Sequence, residues 1–133
     1  MQKLLFFIMI AYLSCLSTNA SAFNGVVTAN SYGSDGEADY DTLDRQVYLD
    51  DTLIFIAWVE TVDGIAHAEG WLNNNLIVSV QLGSYPSNSV TGYDADYGDA
   101  GSQGQTVQVY LSVWADCYEG GGHYATAVAG ASY

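Results

Sequence analysis

Apolar and polar residues alternate along this chain in short runs, and no helical period persists in any of them. The runs are rich in Val, Ile and Tyr and are separated by Gly, Asp, Asn and Ser, which is typical of strands and turns. The pattern predicts strands over residues 26–32, 46–59 with Asp50-Asp51 as a candidate break, 65–72, 76–82, 107–113 and 123–132.

Two of these runs also predict which faces of their strands are buried. In 54–59 both alternating sets of side chains are apolar, which is typical of a central strand buried on two faces. In 76–82 the alternation predicts one buried face, formed by Leu76, Val78, Val80 and Leu82, with Ile77, Ser79 and Gln81 on the other.

Turn signals recur every eight to twelve residues or so, as expected for two antiparallel sheets packed face to face. We therefore predict an all-β, two-sheet antiparallel sandwich of about six or seven strands, formed by residues 23–133 as a single domain. Residues 83–105 have no clear pattern, so they contain either a short edge strand near Val90 or a functional loop.

One ten-residue pattern occurs twice, since Trp58–His67 and Trp114–His123 share tryptophan, two acids, glycine and histidine at equal places. Asp63-Gly64 is a strong hairpin signal, because both residues accept the positive φ of tight turns. We predict one hairpin there and a second at 118–122. Degenerate duplication and a recurring order of strands and turns both explain the repeat, and we favour the second.

The segment EGGGHYATAVAGA, from Glu119 to Ala131, resembles the corner of immunoglobulin-like domains, in which a tyrosine opens an alternating strand. The resemblance implies that the hydroxyl of Tyr124 reaches back to the backbone, although Thr126 stands where those domains have cysteine. It also implies an open sheet edge after residue 132, which a strand from a neighbouring subunit could complete. The strand that contains Val26 could cover the same edge.

Residues 1–22 have the form of a secretory signal peptide, with an apolar run over 4–13 and small residues at Ala20 and Ala22. We therefore expect export to the periplasm or the extracellular space. A lipid anchor at Cys15 is disfavoured, because Tyr12 and Leu13 fit poorly before a lipidated cysteine. No later segment is long and apolar enough to span a bilayer.

The charge balance is strongly acidic, with 15 Asp and Glu against two Lys and Arg and a net charge of −13. Arg45 is the single Lys or Arg beyond Lys3, so nucleic acid and anionic membranes are poor partners. Adaptation to salty water and calcium binding both explain such acidity. Cys117 is the single cysteine of 23–133, and we expect a buried thiol rather than a disulfide between two chains.

The acidic residues of two segments are candidate calcium ligands, because Ca²⁺ prefers carboxylate oxygens. Neither segment fits the helix-loop-helix calcium motif, since Tyr40 and Asp99 stand where glycine is needed. An irregular calcium site and a solvated acidic surface remain alternatives. The candidate ligands are Asp35, Glu37, Asp39, Asp41, Asp94, Asp96 and Asp99.

Two further groups of residues are weaker candidates for a functional site. His67 and His123 could share a zinc ion, but a zinc site needs three or four ligands. Glu60, Asp63, Asp116 and Glu119 could supply a glycosidase pair, but no nucleophile motif accompanies them. We expect no cofactor other than the candidate calcium, and no catalysis.

Tyr85, Tyr93 and Tyr97 lie among Ser, Asn and Asp, a mixture suited to stacking on sugar rings or to binding a protein. The sequence thus predicts an exported, non-catalytic binding or surface-structural module. A carbohydrate-binding domain that uses these tyrosines, with or without calcium, is one alternative. A subunit that self-assembles through an open sheet edge is the other.

Overall fold

Eight strands account for most of the residues that the computed structural model describes, which are 23–34, 36–49, 51–84, 89–98, 104–118 and 120–133. No helix occurs among them. The strands are β1 (Asn24–Tyr32), β2 (Asp39–Leu49), β3 (Leu53–Val62), β4 (Gly64–Leu72), β5 (Asn75–Gly83), β6 (Ser89–Gly98), β7 (Gln105–Cys117) and β8 (Tyr124–Ser132).

The strands form two antiparallel sheets of four strands each. Sheet A has the order β1-β8-β3-β6, and sheet B has the order β2-β7-β4-β5. The predicted all-β sandwich is confirmed, with eight strands. The strand order is that of a jelly roll, so the resemblance to immunoglobulin-like domains lies in the two-layer architecture rather than in strand order.

The core lies between the sheets and includes alternating positions of β3 and β7. Phe55 of β3 and Leu111 of β7 are both 0% exposed. β3 lies between β8 and β6, which confirms that it is a central strand. Burial of these side chains stabilises the fold by about 25 cal/mol for each Å² of apolar surface removed from water.

Two strands are longer than the sequence pattern indicates. β2 begins at Asp39, seven residues before the predicted strand start at 46, and β6 runs for 10 residues around Val90. Both are edge strands, so few of their side chains are fully buried and apolar alternation is not required. The chain does break between β2 and β3, around Asp50-Asp51, as predicted.

The two predicted Trp-to-His hairpins are wrong. β3 lies in sheet A and β4 in sheet B, so the chain changes sheets at Asp63 instead of folding back beside its own strand. The connection from β7 to β8 also changes sheets, in the opposite direction. Asp63 does adopt the positive φ that the pattern requires, at 53°, but a sheet crossing uses that conformation as well as a hairpin does.

β4 and β5 do form a hairpin through Asn73 and Asn74, whose φ angles are 48° and 64°. A bulge shifts the register between Gly70 and Trp71. Beyond it the two faces exchange, so Ile77 packs against the core while Leu76 is 49% exposed. The predicted inward position of Leu76 is therefore wrong, because the bulge inserts one residue into β5.

β1 pairs with β8 along nine residue pairs, so the strand that contains Val26 covers the edge of β8. Cys117 is a free cysteine and 4% exposed, which confirms the buried thiol. The hydroxyl of Tyr124 donates to Oε1 of Glu60 at 2.5 Å, a side chain rather than the expected backbone group.

The signal peptide prediction for 1–22 lies outside the described residues, and so does the prediction for Cys15. None of the described residues belongs to a helix long and apolar enough to cross a bilayer.

Candidate functional site

A shallow groove of about 300 Å³ lies on the outer face of sheet B, the face turned away from the core. Strand alternation explains its lining, because core positions on β7 are the odd-numbered Val107 to Val113, which leaves Gln108 and Tyr110 on the outer face. We call it the sheet B groove. Its lining residues are Asp44, Glu69, Trp71, Asn74, Gln108 and Tyr110.

Three of these residues form a row across neighbouring strands. Tyr110 of β7 stands opposite Asp44 of β2 on one side and opposite Trp71 of β4 on the other. Adjacent strands are about 4.8 Å apart, so the row is about 10 Å wide. Two aromatic side chains therefore lie next to each other with a carboxylate at one end.

The bulge between β4 and β5 lies at Trp71. Gly70 precedes it, and a Cβ at that position would lie only 2.6 Å from Cδ1 of the buried Phe55. Glycine thus lets the core ring press against the strand where the register shifts. The indole nitrogen Nε1 of Trp71 is enclosed and has no hydrogen-bond partner among the described residues. A buried donor without a partner is costly, and a ligand acceptor that reached it would remove this cost.

Hydrogen bonds fix the polar side of the groove. The backbone N–H of Gln108 donates to Oδ1 of Asn73 at 2.9 Å, and the N–H of Asn73 donates to the carbonyl oxygen of Gln108 at 2.9 Å. The side-chain amide Nε2 of Gln108 donates to Oδ1 of Asp44, also at 2.9 Å. The β4–β5 turn, β7 and β2 are thereby joined at this side of the groove.

Glu69 lies on the same outer face as the row, two residues before Trp71. Its Oε2 is 3.4 Å from Nε2 of His67, and the two side chains are 21% and 33% exposed. His67 stands opposite Trp114 of β7, and Trp114 stands opposite Tyr40 of β2. Tyr40 and Trp114 are 76% and 37% exposed, so a second aromatic pair continues the same face.

Two of the three predicted tyrosines are described, and both lie on the opposite side of the molecule. Tyr93 and Tyr97 belong to β6 and stand opposite Trp58 and Ile54 on the outer face of sheet A. They are 59% and 66% exposed. Tyr85 lies outside the described residues. Tyr93 and Tyr97 are therefore available on one face, but they are not part of the sheet B groove.

The predicted calcium ligands are divided between opposite edges of the sandwich. Asp39 lies on β2, where its Oδ2 accepts the N–H of Asn30 of β1 at 2.9 Å. Asp94 lies on β6, where its Oδ2 accepts the N–H of Ser79 of β5 at 3.0 Å. Each carboxylate thus joins an edge strand of one sheet to an edge strand of the other.

The remaining candidate ligands have local contacts. The Oδ1 atoms of Asp41 and Asp96 each accept the N–H of the next residue, and Glu37 is exposed just before β2. Asp35 and Asp99 lie outside the described residues. Within the described part of the chain, no three His, Cys, Asp or Glu residues form a group that could hold a metal ion.

The two histidines have separate partners. Nε2 of His123 lies 2.8 Å from Oδ2 of Asp63, whereas His67 contacts Glu69. Of the four carboxylates that raised the glycosidase hypothesis, Glu60 is 6% exposed and accepts a hydrogen bond from Tyr124. Burial, together with the hydrogen bond and the charge of Glu60, raises the pKa of the Tyr124 phenol.

The sheet B groove was not predicted from the sequence. Its residues come from three strands and a turn, and their approach depends on two changes of sheet that resemble hairpins locally. One signal was present: Trp71 is a large aromatic residue separated from the Asn-rich turn by Leu72 alone, where an outward tryptophan lies at the surface.

No protein-family model matches this sequence, and no curated protein matches it either. The fold is similar to that of TmCBM61 in complex with β-1,4-galactotriose, with a TM-score of 0.43, 12% identity and coverage of 89% of each chain. For the carbohydrate-binding module CBM36 in complex with calcium and xylotriose, the TM-score is 0.36 and the identity 12%, and 82% of this chain and 86% of that chain are covered.

The VP2 subviral particle of infectious bursal disease virus gives a TM-score of 0.42 at 9% identity. That match covers 84% of this chain and 32% of the viral chain, so this chain spans about a third of the viral protein. The three likenesses concern the fold alone.

Proposed function

We propose that this chain is an exported, non-catalytic module that binds carbohydrate through the sheet B groove. The observation that carries the proposal is the pair of adjacent aromatic side chains, Trp71 and Tyr110, with polar groups on both sides in a groove of about 300 Å³.

Sugar rings have the chemistry that this groove complements. One face of a pyranose presents C–H groups, which an aromatic ring covers, while the rim presents hydroxyl groups that both donate and accept hydrogen bonds. Asp44 and Glu69 supply acceptors, and the carboxamides of Asn74 and Gln108 supply donors as well as acceptors. A volume of about 300 Å³ is at the small end of ligand pockets, which suits one or two sugar units.

The groove also fits a ligand longer than one sugar ring. Trp114 lies four residues beyond Tyr110 on β7, which is about 13 Å along the strand. With Tyr40 it forms a second aromatic pair on the same face. An oligosaccharide that runs along β7 would contact both pairs.

We propose binding rather than catalysis. Asp44 and Glu69 already contact Gln108 and His67, and this arrangement suits fixed hydrogen-bonding partners. The lining does hold two carboxylates, the groups that glycosidases use, so hydrolysis of a bound glycan would contradict this part of the proposal.

A glycan array followed by calorimetry on the best ligand tests the proposal. We expect Trp71→Ala to weaken binding about tenfold or more, a loss of about 1.4 kcal/mol, because the sugar loses the apolar surface of the indole ring. Tyr93→Ala and Tyr97→Ala are the matched controls on the outer face of sheet A, and they should bind as the parent protein does. Circular dichroism and the melting temperature establish that each variant is folded. Trp71→Phe, which keeps an aromatic ring, is included as a conservative variant.

The same experiment also tests the binding surface predicted from the sequence, which carries Tyr93 and Tyr97. If the two tyrosine variants lose binding while Trp71→Ala retains it, the outer face of sheet A is the binding surface and the sheet B groove is not. If the parent protein binds no glycan, carbohydrate binding is wrong for this chain.

A further inference from the structure

The sheet B groove carries two negative charges and no positive one. Asp44 and Glu69 both line it, and none of its other lining residues is Arg, Lys or His. Arg45 follows Asp44 in sequence, but on β2 it stands opposite the core residue Val109, whereas Asp44 stands opposite Tyr110. Alternation therefore directs Arg45 to the other face of the sheet. Among the described residues, no ion pair joins Arg45 to either acid.

The protein contacts of the two acids are incomplete. Asp44 accepts a neutral amide hydrogen bond at Oδ1, and Glu69 contacts an imidazole at Oε2. These contacts involve one oxygen of each carboxylate, so Oδ2 of Asp44 and Oε1 of Glu69 can each accept a bond from a ligand. A bond from a charged donor is about twice as strong as one from a neutral donor.

Aromatic rings lie between the two charges. Tyr110 adjoins Asp44 across one strand spacing, and Trp71 lies two residues from Glu69 along β4. The face of an aromatic ring attracts a cation, and tryptophan does so most strongly. Carboxylates around an aromatic floor are thus suited to an ammonium group. A carboxylated or sulfated sugar would instead meet two like charges in a chain of net charge −13.

We propose that the sheet B groove selects a sugar with a free ammonium group, an unacetylated amino sugar, over neutral and acidic sugars. This inference rests on the proposed carbohydrate binding and names its ligand class. Ammonium groups on neighbouring sugar units lie against Trp71 or Tyr110, and one donates to Asp44 while another donates to Glu69.

The test uses three β-1,4-linked oligosaccharides of equal length, composed of glucosamine, N-acetylglucosamine or glucose. Affinities are measured by calorimetry with the full secreted protein, at a pH at which the amine is protonated. We expect the glucosamine oligomer to bind about tenfold more tightly than the other two. We also expect this advantage to shrink at 1 M salt, where the screening length falls to about 3 Å from about 10 Å at 0.1 M.

Two variants distinguish the effect of the two charges in the groove from the effect of the net negative charge of the protein. Asp44→Asn combined with Glu69→Gln keeps the shape and removes the charges, so it should abolish the preference for glucosamine over the glucose oligomer. Asp41→Asn removes a charge from an exposed carboxylate outside the groove and should leave the preference intact.

The outcomes distinguish this inference from the proposed function. Equal affinity for the three oligomers, or a preference that survives the double variant, overturns the amino-sugar inference and leaves carbohydrate binding in place. A preference that Asp41→Asn reduces as much as the double variant does also overturns it, because the attraction then belongs to the whole surface. If no glycan of any class binds, the proposed function and the inference are both wrong.

Discussion

His123 and Asp63 join the two segments in which the chain changes sheets, since Nε2 of His123 lies 2.8 Å from Oδ2 of Asp63. The backbone carbonyl of Asp63 also accepts the N–H of Tyr118, from the second crossing, at 3.0 Å. One end of the sandwich is therefore closed by contacts between the two crossings. The side chain of Asp63 is only 9% exposed, so its charge depends on such partners.

Removing this imidazole should destabilise the fold. We expect His123→Ala to lower the free energy of unfolding by about 1–3 kcal/mol, because a buried carboxylate loses a donor. Urea denaturation at neutral pH measures the change. His67→Ala is the control, since its pair with Glu69 is longer, at 3.4 Å, and more exposed, and its effect should stay within about 0.5 kcal/mol. Equal effects of the two variants would show that the crossings do not depend on this pair.

The repeated Trp-to-His pattern falls on the two crossings. Both copies begin at an outward tryptophan, Trp58 on sheet A and Trp114 on sheet B, and both then change sheets. In the pair between them, the acid at the sixth place of the first copy, Asp63, contacts the histidine at the tenth place of the second copy, His123. The repeat therefore reflects two crossings that meet at one end of the sandwich.

Sequence periodicity predicted the strands that bury one clear face, such as β7 with Val107 to Val113, because burial requires apolar residues at every second place. It missed the extent of β2 and β6, since edge strands tolerate Asp39 or Asp94 within them. Periodicity also could not predict that the chain changes sheets at Asp63-Gly64. A positive φ determines a local turn, but it does not determine which sheet the next strand joins. The sheet B groove depends on that long-range choice, so it emerges only from the three-dimensional structure.

The aspartates between edge strands should stabilise the sandwich as hydrogen-bond acceptors. We expect Asp39→Ala to lower the free energy of unfolding by about 1 kcal/mol, because the backbone N–H of Asn30 loses its partner in a partly buried place. Asp39→Asn keeps an acceptor and removes a negative charge, so it should cost less. Asp96→Ala is the control, since this carboxylate bonds only the adjacent N–H of Tyr97. If chemical denaturation shows that Asp39→Ala and Asp96→Ala lower the free energy of unfolding equally, the hydrogen bond between the edge strands contributes nothing measurable to stability.

Calcium should stabilise this protein no more than magnesium at the same ionic strength. The predicted ligands that the structure describes are divided between two opposite edges, where Asp39 and Asp94 are already bonded to backbone N–H groups. Screening of the net charge of −13 then accounts for the whole rise in melting temperature. Thermal denaturation in matched CaCl₂, MgCl₂ and NaCl solutions measures this. A larger rise with calcium would establish a site, with stabilisation that grows as the logarithm of calcium concentration.

Tyr124 should lose its proton at an unusually high pH. Burial raises the pKa of its phenol, and the hydrogen bond to Glu60 and the charge of Glu60 raise it further. A pKa that is higher in the folded than in the unfolded state contributes stability below the ordinary tyrosine pKa of about 10, and this stability is lost as pH rises through the folded-state pKa. Ultraviolet titration should show one late phenol that is absent in Tyr124→Phe. In Glu60→Gln its pKa should fall while staying raised, because burial remains; an unchanged pKa would contradict the role of Glu60.

The bulge at Trp71 depends on the absence of a side chain at residue 70. In Gly70→Ala the new Cβ would lie 2.6 Å from Cδ1 of Phe55, a ring that is 0% exposed. We expect a loss of about 1–3 kcal/mol in the free energy of unfolding, which is typical of overpacking. Gly121→Ala is the matched control, because a Cβ there meets nothing within 4 Å. Near-ultraviolet circular dichroism should also change in Gly70→Ala alone, since Trp71 is the next residue. A Gly70→Ala protein with parental stability and an unchanged tryptophan signal would show that Phe55 can move aside without disturbing the groove.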